Sequence, residues 1–200
     1  DFRVQNSNNN PLPSTVKANF IHTAQDLNAS TSWYNPGPDY ASGYGVLDIK
    51  AAIDQLRAKG WTEGCVEHGE VDNYSFVIPA GMLQVKATLA WDDVPASPGT
   101  TAPTLVNDLD LVVTDASGVR RYPWTLNPAA PSTNAVRTTE DHLNNVEMVL
   151  ADGTVPSGIW YVAVKGTSVP SGPQCYSLVV SPVGLPSVNT ARKKYGLEMN

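Results

Sequence analysis

Residues 104–113, TLVNDLDLVV, place two carboxylates and an amide inside a run of strand-forming residues. Alternate side chains of a strand point to the same face, so Asp108 and Asp110 share one face. The opposite face is apolar and consists of Leu109, Leu111 and Val113. This alternation predicts a strand whose apolar face joins a core. It also leaves two like charges roughly 6 to 7 Å apart, which a cation or water must screen.

Five more segments alternate in the same way. They are NYSFVI (73–78), MLQVKATLAW (82–91), NVEMVLA (145–151), IWYVAVKG (159–166) and CYSLVVS (175–181). Turns rich in Gly, Pro, Asn and Ser separate them. Short alternating strands at this spacing predict a mainly β fold, an antiparallel β-sandwich over residues 62–183, with Trp91 and Trp160 in its core.

Residues 1–60 have a helical pattern instead. In PSTVKANFIHTAQDL (13–27), Ser14 is a candidate N-cap, and a predicted apolar face contains Val16, Phe20, Ile21 and Ala24. In LDIKAAIDQLRAKG (47–60), Asp48 is the candidate N-cap, and the predicted stripe contains Ile49, Ala52, Ile53 and Leu56. The tail, 184–200, has no predicted element.

The chain has 200 residues and a formal net charge of −6. An acidic balance argues against nucleic acid as a partner, because nucleic-acid binders usually carry basic stripes. The sequence contains no apolar run of about 18 residues, the length that predicts a membrane-spanning helix. We therefore expect neither nucleic-acid nor membrane binding.

The sequence contains two cysteines, Cys65 and Cys175. Cys65 precedes the first predicted strand and Cys175 begins the last, and the terminal strands of a sandwich often lie side by side. One intramolecular disulfide is the favoured interpretation and suits an oxidising, extracellular compartment. Two reduced, buried thiols are the alternative.

The tripeptide Gly166-Thr167-Ser168 is the kind of setting in which some serine proteases carry their nucleophile. There the serine opens a helix, but Pro170 and Pro173 prevent a helix from starting here. We therefore interpret Ser168 as part of a turn between strands. Each of the three histidines is interpreted as an ordinary buried or exposed side chain.

Two regions together resemble a known family. The segments PSTVKANFIHTAQDL and GPDYASGYGVLDIKAAID (37–54) resemble the end of the catalytic domain of subtilisin-like serine proteases. The segments LAWDDVPASP (89–98), TLVNDLDLVV, NNVEMV (144–149), SGIWYVAVKG (157–166) and VPSGPQCYSLVV (169–180) resemble the C-terminal β-domain of the alkaline members. That β-domain is a jelly roll similar to the P domain of the kexin and furin-like convertases.

This resemblance implies that residues 1–60 complete a catalytic domain and that the jelly roll packs on that domain and stabilises it. The parent would be a secreted serine endopeptidase that acts on proteins and peptides. The family's catalytic Asp, His and Ser map to no position of this chain, and we expect them upstream of residue 1. The chain alone should therefore be inactive.

A Ca²⁺ site is the predicted reason for the paired carboxylates. Calcium takes six to eight oxygen ligands, and β-domains of the resembled kind hold calcium in this neighbourhood. The candidate ligands are Asp92, Asp93, Asn107, Asp108, Asp110, Asn144, Asn145 and Glu147. The alternative is a solvated acidic patch in which Asp and Asn shape turns. Zinc is not expected, because no His/Cys cluster has ligand spacing.

A secreted jelly-roll module that binds carbohydrate or protein is the alternative function. Its main candidate contact is Trp124, which lies in the predicted loop RRYPWTLNP (120–128). Docking of the β-domain on its own catalytic domain as an inhibitor or substrate guide is a third possibility.

Overall fold

The computed structural model describes residue 3, residues 10–27, 34–100 and 104–182, and the backbone of 187–188. Helix α1 spans Pro13–Thr23 and helix α2 spans Ile49–Arg57. Pro13 lies in the first turn of α1, where the missing N–H costs nothing. Ser14 does not cap this helix, whereas Asp48 caps α2 as predicted, since its side chain accepts from the Ala51 N–H. The predicted tail, 184–200, lies outside the described residues apart from 187–188.

The strands described after these helices form two antiparallel sheets. In chain order they are β1 (Trp61–Val66), β2 (Val71–Ile78), β3 (Gln84–Trp91), β4 (Asp108–Thr114), β5 (Arg120–Arg121), β6 (Val146–Asp152), β7 (Gly158–Ser168), β8 (Gln174–Ser181) and β9 (Ser187–Val188). One sheet has the order β1-β8-β3-β6 and the other β5-β4-β7-β2-β9. Apart from β4 and β5, neighbours in each sheet are distant in sequence, and this order is that of a jelly roll. The predicted β-sandwich is confirmed.

The core lies between the two sheets and is built from alternate strand residues, as the sequence predicts. Leu109, Leu111 and Val113 of β4 all belong to it. Trp91 and Trp160 are completely buried. Each of these aromatic side chains removes a large apolar area from water, so the core is the main source of stability.

Strand β1 is not predicted from the sequence, in which the first alternating segment begins at residue 73. It pairs with β8 in the register Cys65↔Cys175, and the two cysteines form a disulfide. The predicted pairing is therefore present, although Cys65 lies within the first strand and not before it. Gly64 and the polar residues around it hide the alternation that marks the other strands.

Helix α1 packs on the four-stranded sheet through a polar face. Its buried residues are Ser14, Thr15, Ala18, Asn19 and His22. The predicted apolar face is wrong as a core face, because Val16 and Phe20 are each more than one third exposed. In α2, likewise, Ala52 and Gln55 are buried while Ile49 and Ile53 are exposed.

Hydrogen bonds explain why a polar face suits this contact. The Ser14 and Thr15 hydroxyls each lie within hydrogen-bond distance of Ser177 Oγ, at 2.9 and 2.8 Å. Asn19 donates to the Ala52 carbonyl at 2.8 Å and so joins α1 to α2. Buried polar groups are tolerated when they are paired in this way.

Candidate metal centre

Strand β4 carries Asp108 and Asp110 on the face opposite the core. Its pairing with β7 shifts between Asp108 and Leu109, where Asp108 opposes Ser168 and Leu109 opposes Gly166. Thr167 is therefore the extra residue of a β-bulge. A bulge re-aims a side chain, and the Thr167 hydroxyl donates to Asp110 Oδ2.

His142 brings a third ligand atom to the two carboxylates. Its Nδ1 lies 2.8 Å from Asp108 Oδ2 and 3.4 Å from Asp110 Oδ1. The imidazole comes from the loop before β6, so a segment that is distant in sequence covers the outer face of β4. Ligand atoms of the three residues all lie within 4.8 Å of one another.

The two aspartates differ in their access to water. The Asp110 side chain is completely buried, that of Asp108 is 17% exposed, and that of His142 is 51% exposed. Asp108 Oδ1 and Asp110 Oδ1 are buried and have no hydrogen-bond partner among the described residues. A buried carboxylate oxygen without a partner is costly. The cluster therefore has unsatisfied capacity for a cation.

Charges around the cluster are mostly negative. Lys165 forms an ion pair with Glu140, which occupies that ammonium group. Burial, together with the Glu140 and Asp108 carboxylates, raises the pKa of Asp110 to about 6, although the Thr167 hydrogen bond opposes the rise. Burial likewise raises the pKa of Asp108, although His142 opposes that rise.

The pKa of His142 is raised as well, and for an imidazole a raised pKa favours the charged form. Partial burial lowers the pKa of this imidazole, but the Asp110 and Asp108 carboxylates outweigh that effect and raise the pKa above its ordinary value. The protonated imidazole is thus stabilised as a counter-charge. A cation at this position is favoured electrostatically, whether it is an imidazolium or a metal ion.

Glu147 lies on β6 and faces β4 from the other sheet. It is completely buried, and its Oε2 accepts a hydrogen bond from the Leu111 N–H at 2.7 Å. Its Oε1 is buried without a hydrogen-bond partner among the described residues. Burial raises the pKa of Glu147 well above its ordinary value. It lies outside the group of three ligand atoms.

The aspartates of the WDDVP segment have protein partners. Asp92 Oδ2 accepts from the Ser14 N–H at 3.0 Å. Asp93 accepts from the Val106 and Asn107 N–H groups at 2.7 and 2.9 Å. Both carboxylates therefore satisfy backbone donors near α1 and at the start of β4.

The predicted amide ligands also have protein partners. Asn107 is completely buried and donates to the Ser171 carbonyl at 2.7 Å and to Gln174 at 2.8 Å. Asn145 donates to the Trp91 carbonyl at 3.0 Å and accepts from Lys17 at 2.6 Å.

Three of the predicted ligands line a pocket that Asp108 and Asp110 do not line. Asp93, Asn144 and Asn145 line an open pocket of about 380 Å³. Asn144 donates to Asp141 at 2.8 Å. Of the five predicted carboxylate ligands, Asp108 and Asp110 belong to the described cluster with His142, whereas Asp92, Asp93 and Glu147 do not.

The sequence does not predict that His142 and Thr167 contact the two aspartates. His142 follows Glu140 and Asp141 in an acidic segment, and that segment is the only sequence signal of its role. Thr167 carries no signal, since its position depends on a bulge in the pairing of two strands.

Trp124 is buried, contrary to the expectation that it is free for a ligand. It is 8% exposed and forms a small cluster with Ala135 and Met148. The Arg137 guanidinium lies 4.3 Å from its ring centroid. Partly buried Ile21 and Tyr44 pack on this cluster, so it joins the helical segment to the sandwich. The binding-module alternative loses its main candidate residue.

Among the described residues, no helix has the length and apolar character needed to cross a bilayer. The disulfide is compatible with an oxidising, extracellular environment.

No protein-family model matches the chain. The chain is 27% identical over 184 residues to the serine protease/ABC transporter B family protein tagA of Dictyostelium discoideum, across 87% of this chain and 10% of that protein. It is also 27% identical over 202 residues to the serine protease/ABC transporter B family protein tagD of the same organism, across 89% of this chain and 11% of that protein. The chain thus spans about one tenth of the length of these relatives. It has a distant relationship to proteins named as serine proteases.

Proposed function

We propose that this chain is the C-terminal part of a secreted subtilisin-like serine endopeptidase. In this proposal residues 1–60 complete the catalytic domain, and the jelly roll of residues 62–183 supports it. The protease-related names of the distant relatives support the parent activity. The structural observation that supports the proposal is the exposure of apolar side chains on the two helices.

The helical segment leaves many apolar side chains in solvent. The exposed set is Val16, Phe20, Leu27, Val46, Leu47, Ile49 and Ile53. Helix α1 packs on the sandwich through its polar face. An amphipathic helix normally buries its apolar side, and exposed apolar patches mark interaction sites. The remainder of the catalytic domain is the partner that this proposal assigns to that side.

Hydrogen bonds between the helices and the sandwich support the stabilising role in this proposal. Lys86 of β3 donates to the His22 carbonyl at 2.9 Å, and Gln55 of α2 donates to the Val180 carbonyl at 2.9 Å. Loss of the sandwich would leave the polar face of α1 without these partners. The last helices of the catalytic domain would then be loosened.

The proposal includes a Ca²⁺ ion held by Asp108 and Asp110. The two buried carboxylate oxygens without hydrogen-bond partners among the described residues support it. Carboxylate oxygens are the ligands that calcium prefers. The ion would offset the repulsion between the two aspartates and fix the bulge that Thr167 forms on β7.

The test compares the complete protein that contains this chain with the same protein ending at residue 60. Peptidase activity on casein and labelling by a fluorophosphonate probe report the serine nucleophile. We expect activity in the complete protein and a much shorter half-life at elevated temperature in the shortened one. A complete protein with neither activity nor labelling contradicts the protease assignment, and equal half-lives contradict the supporting role.

A pair of surface variants tests the helical contact. Val16→Ser and Phe20→Ser together should shorten the half-life of peptidase activity on heating. Val77→Ser is the matched control, because Val77 is also an exposed apolar residue, 69% exposed, but lies on β2 of the sandwich. An equal effect of the control would show that exposure alone, and not contact with the catalytic domain, sets the result.

A further inference from the structure

The cluster on β4 contains an imidazole as well as two carboxylates. His142 Nδ1 lies 2.8 Å from Asp108 Oδ2 and 3.4 Å from Asp110 Oδ1. The donor atoms of a tetrahedral zinc ion lie roughly 3.3 Å apart, given metal–ligand distances near 2.0 to 2.2 Å. The 3.4 Å separation matches this spacing, and the ligand atoms of all three residues lie within 4.8 Å of one another. A small rotation of the half-exposed His142 side chain, away from its hydrogen bond to Asp108, would place the three around one small ion.

Asp110 shows that this arrangement is more than a surface ion pair. Its side chain is completely buried. Thr167 occupies Oδ2, while Oδ1 faces His142 and has no hydrogen-bond partner among the described residues. A lone Asp108–His142 pair at the surface would not require a second carboxylate, buried and incompletely paired, beside it.

Ligand chemistry separates the candidate ions. Calcium takes oxygen ligands almost exclusively, whereas imidazole nitrogen suits zinc and other late first-row ions. Two carboxylates and one imidazole leave a further coordination position toward the half-exposed side of His142. A hard oxygen-seeking ion would use only two of the three donors.

We propose that Asp108, Asp110 and His142 form a site for a divalent first-row transition ion such as Zn²⁺, which competes with Ca²⁺ for the same two aspartates. The inference rests on the cation site of the proposed function and adds an ion that this function does not name. His142 is the residue that discriminates, because it is a ligand for the transition ion and not for calcium.

The experiment is a calorimetric titration of the chain, free of any polyhistidine tag, with ZnCl₂ and separately with CaCl₂. His142→Gln is the test variant, and its side chain is half exposed, so the fold should persist. His68→Gln is the matched control, because His68 is exposed and accepts from the Val169 N–H on a different loop. Melting curves without metal check the fold of each variant.

We expect His142→Gln to raise the Kd for zinc at least tenfold and not to raise the Kd for calcium. His68→Gln should change neither constant. Excess zinc should abolish calcium binding to the unmodified chain. Co²⁺ gives an independent readout, since its visible absorption bands should appear in the unmodified chain and weaken in the His142 variant.

Equal zinc affinity in the chain and in His142→Gln overturns the inference. Calcium binding without zinc binding also overturns it and leaves the calcium proposal standing. Zinc binding that depends on His142 without any calcium binding supports the inference and removes the calcium part of the proposed function. Failure of both ions to bind rejects both.

Discussion

The carboxylate of Glu147 accepts a hydrogen bond from the backbone N–H of Leu111 at 2.7 Å and joins β6 of one sheet to β4 of the other. Strand β5 covers only Val113 and Thr114 of β4 on this side. Glu147 therefore replaces a missing strand partner inside the protein. A completely buried acid at this position serves as a backbone acceptor.

Glu147→Gln should cost less than about 1 kcal/mol of unfolding free energy, because the amide oxygen can accept the same hydrogen bond. Glu147→Leu should cost about 1 to 3 kcal/mol, since it leaves the buried Leu111 N–H without a partner. Urea unfolding at pH 7 with EDTA measures both. If Gln and Leu are equally costly, the acceptor role assigned to Glu147 is wrong.

His22 should make the stability fall in acid. This completely buried imidazole lies within hydrogen-bond distance of Thr88 Oγ1 (3.0 Å) and Ser181 Oγ (2.9 Å). Burial lowers its pKa to about 3, with a smaller contribution from Lys86. Between the ordinary pKa, near 6.5, and 3, the unfolded chain binds the proton and the folded chain does not. The free energy of unfolding therefore decreases as pH falls through this window, by up to about 4 to 5 kcal/mol.

His22→Gln isolates this contribution, because glutamine does not titrate. The unfolding free energy of the variant should decrease less than that of the unmodified chain between pH 6.5 and pH 4. Other groups, such as Asp110, affect both proteins alike and cancel in the difference. Parallel pH profiles would show that His22 does not change its protonation on unfolding.

The Cys65–Cys175 disulfide closes a sequence separation of 110 residues between the edge strand β1 and β8. The double variant Cys65→Ala and Cys175→Ala should lose about 4 to 5 kcal/mol on the chain-entropy account. Guanidinium unfolding with and without a reducing agent measures the loss. The reductant should destabilise the unmodified chain and leave the double variant unchanged, and an effect on both would point to a different target.

Gly37→Ala should destabilise the contact between the helical segment and the sandwich. Gly37 has φ +84°, and a Cβ there would lie 2.9 Å from ring carbons of Trp124. Gly118→Ala is the control, with the same φ and nothing within 4 Å of its Cβ. Both variants bear the left-handed backbone cost of about 1 to 2 kcal/mol. Only Gly37→Ala should lose more than this, with a change in Trp124 fluorescence; equal losses would contradict the packing.

Calcium should stabilise the chain through Asp110. At a calcium concentration of 100 times the Kd, the unfolding free energy should rise by about 2.7 kcal/mol relative to EDTA. Asp110→Asn should remove most of this increase. Without calcium the variant should be at least as stable as the unmodified chain, since it lacks a buried, incompletely paired charge. Thermal melting measures all four states, and a calcium shift that survives in Asp110→Asn would place the ion elsewhere.

The strands with clear alternation were predictable, because period-2 patterning over segments such as 73–78 and 159–166 has one physical cause, a sheet with a buried face. Strand β1 was not, since Gly64 and neighbouring polar residues break the pattern. The face of α1 that packs on the sandwich also differs from the predicted apolar face. Periodicity locates an apolar stripe on a helix, but it does not say whether the covering partner lies within the same segment of chain.

The sandwich, its principal core residues and the placement of Asp108 and Asp110 on one strand face can be predicted from the sequence, because each follows from local alternation. The groups that meet those carboxylates depend on the tertiary structure. His142 arrives from a loop more than 30 residues away, and Thr167 arrives through a bulge on β7. Contacts of this kind depend on strand register and loop path. Those are set by packing across the whole domain and leave little mark on the residues that they join.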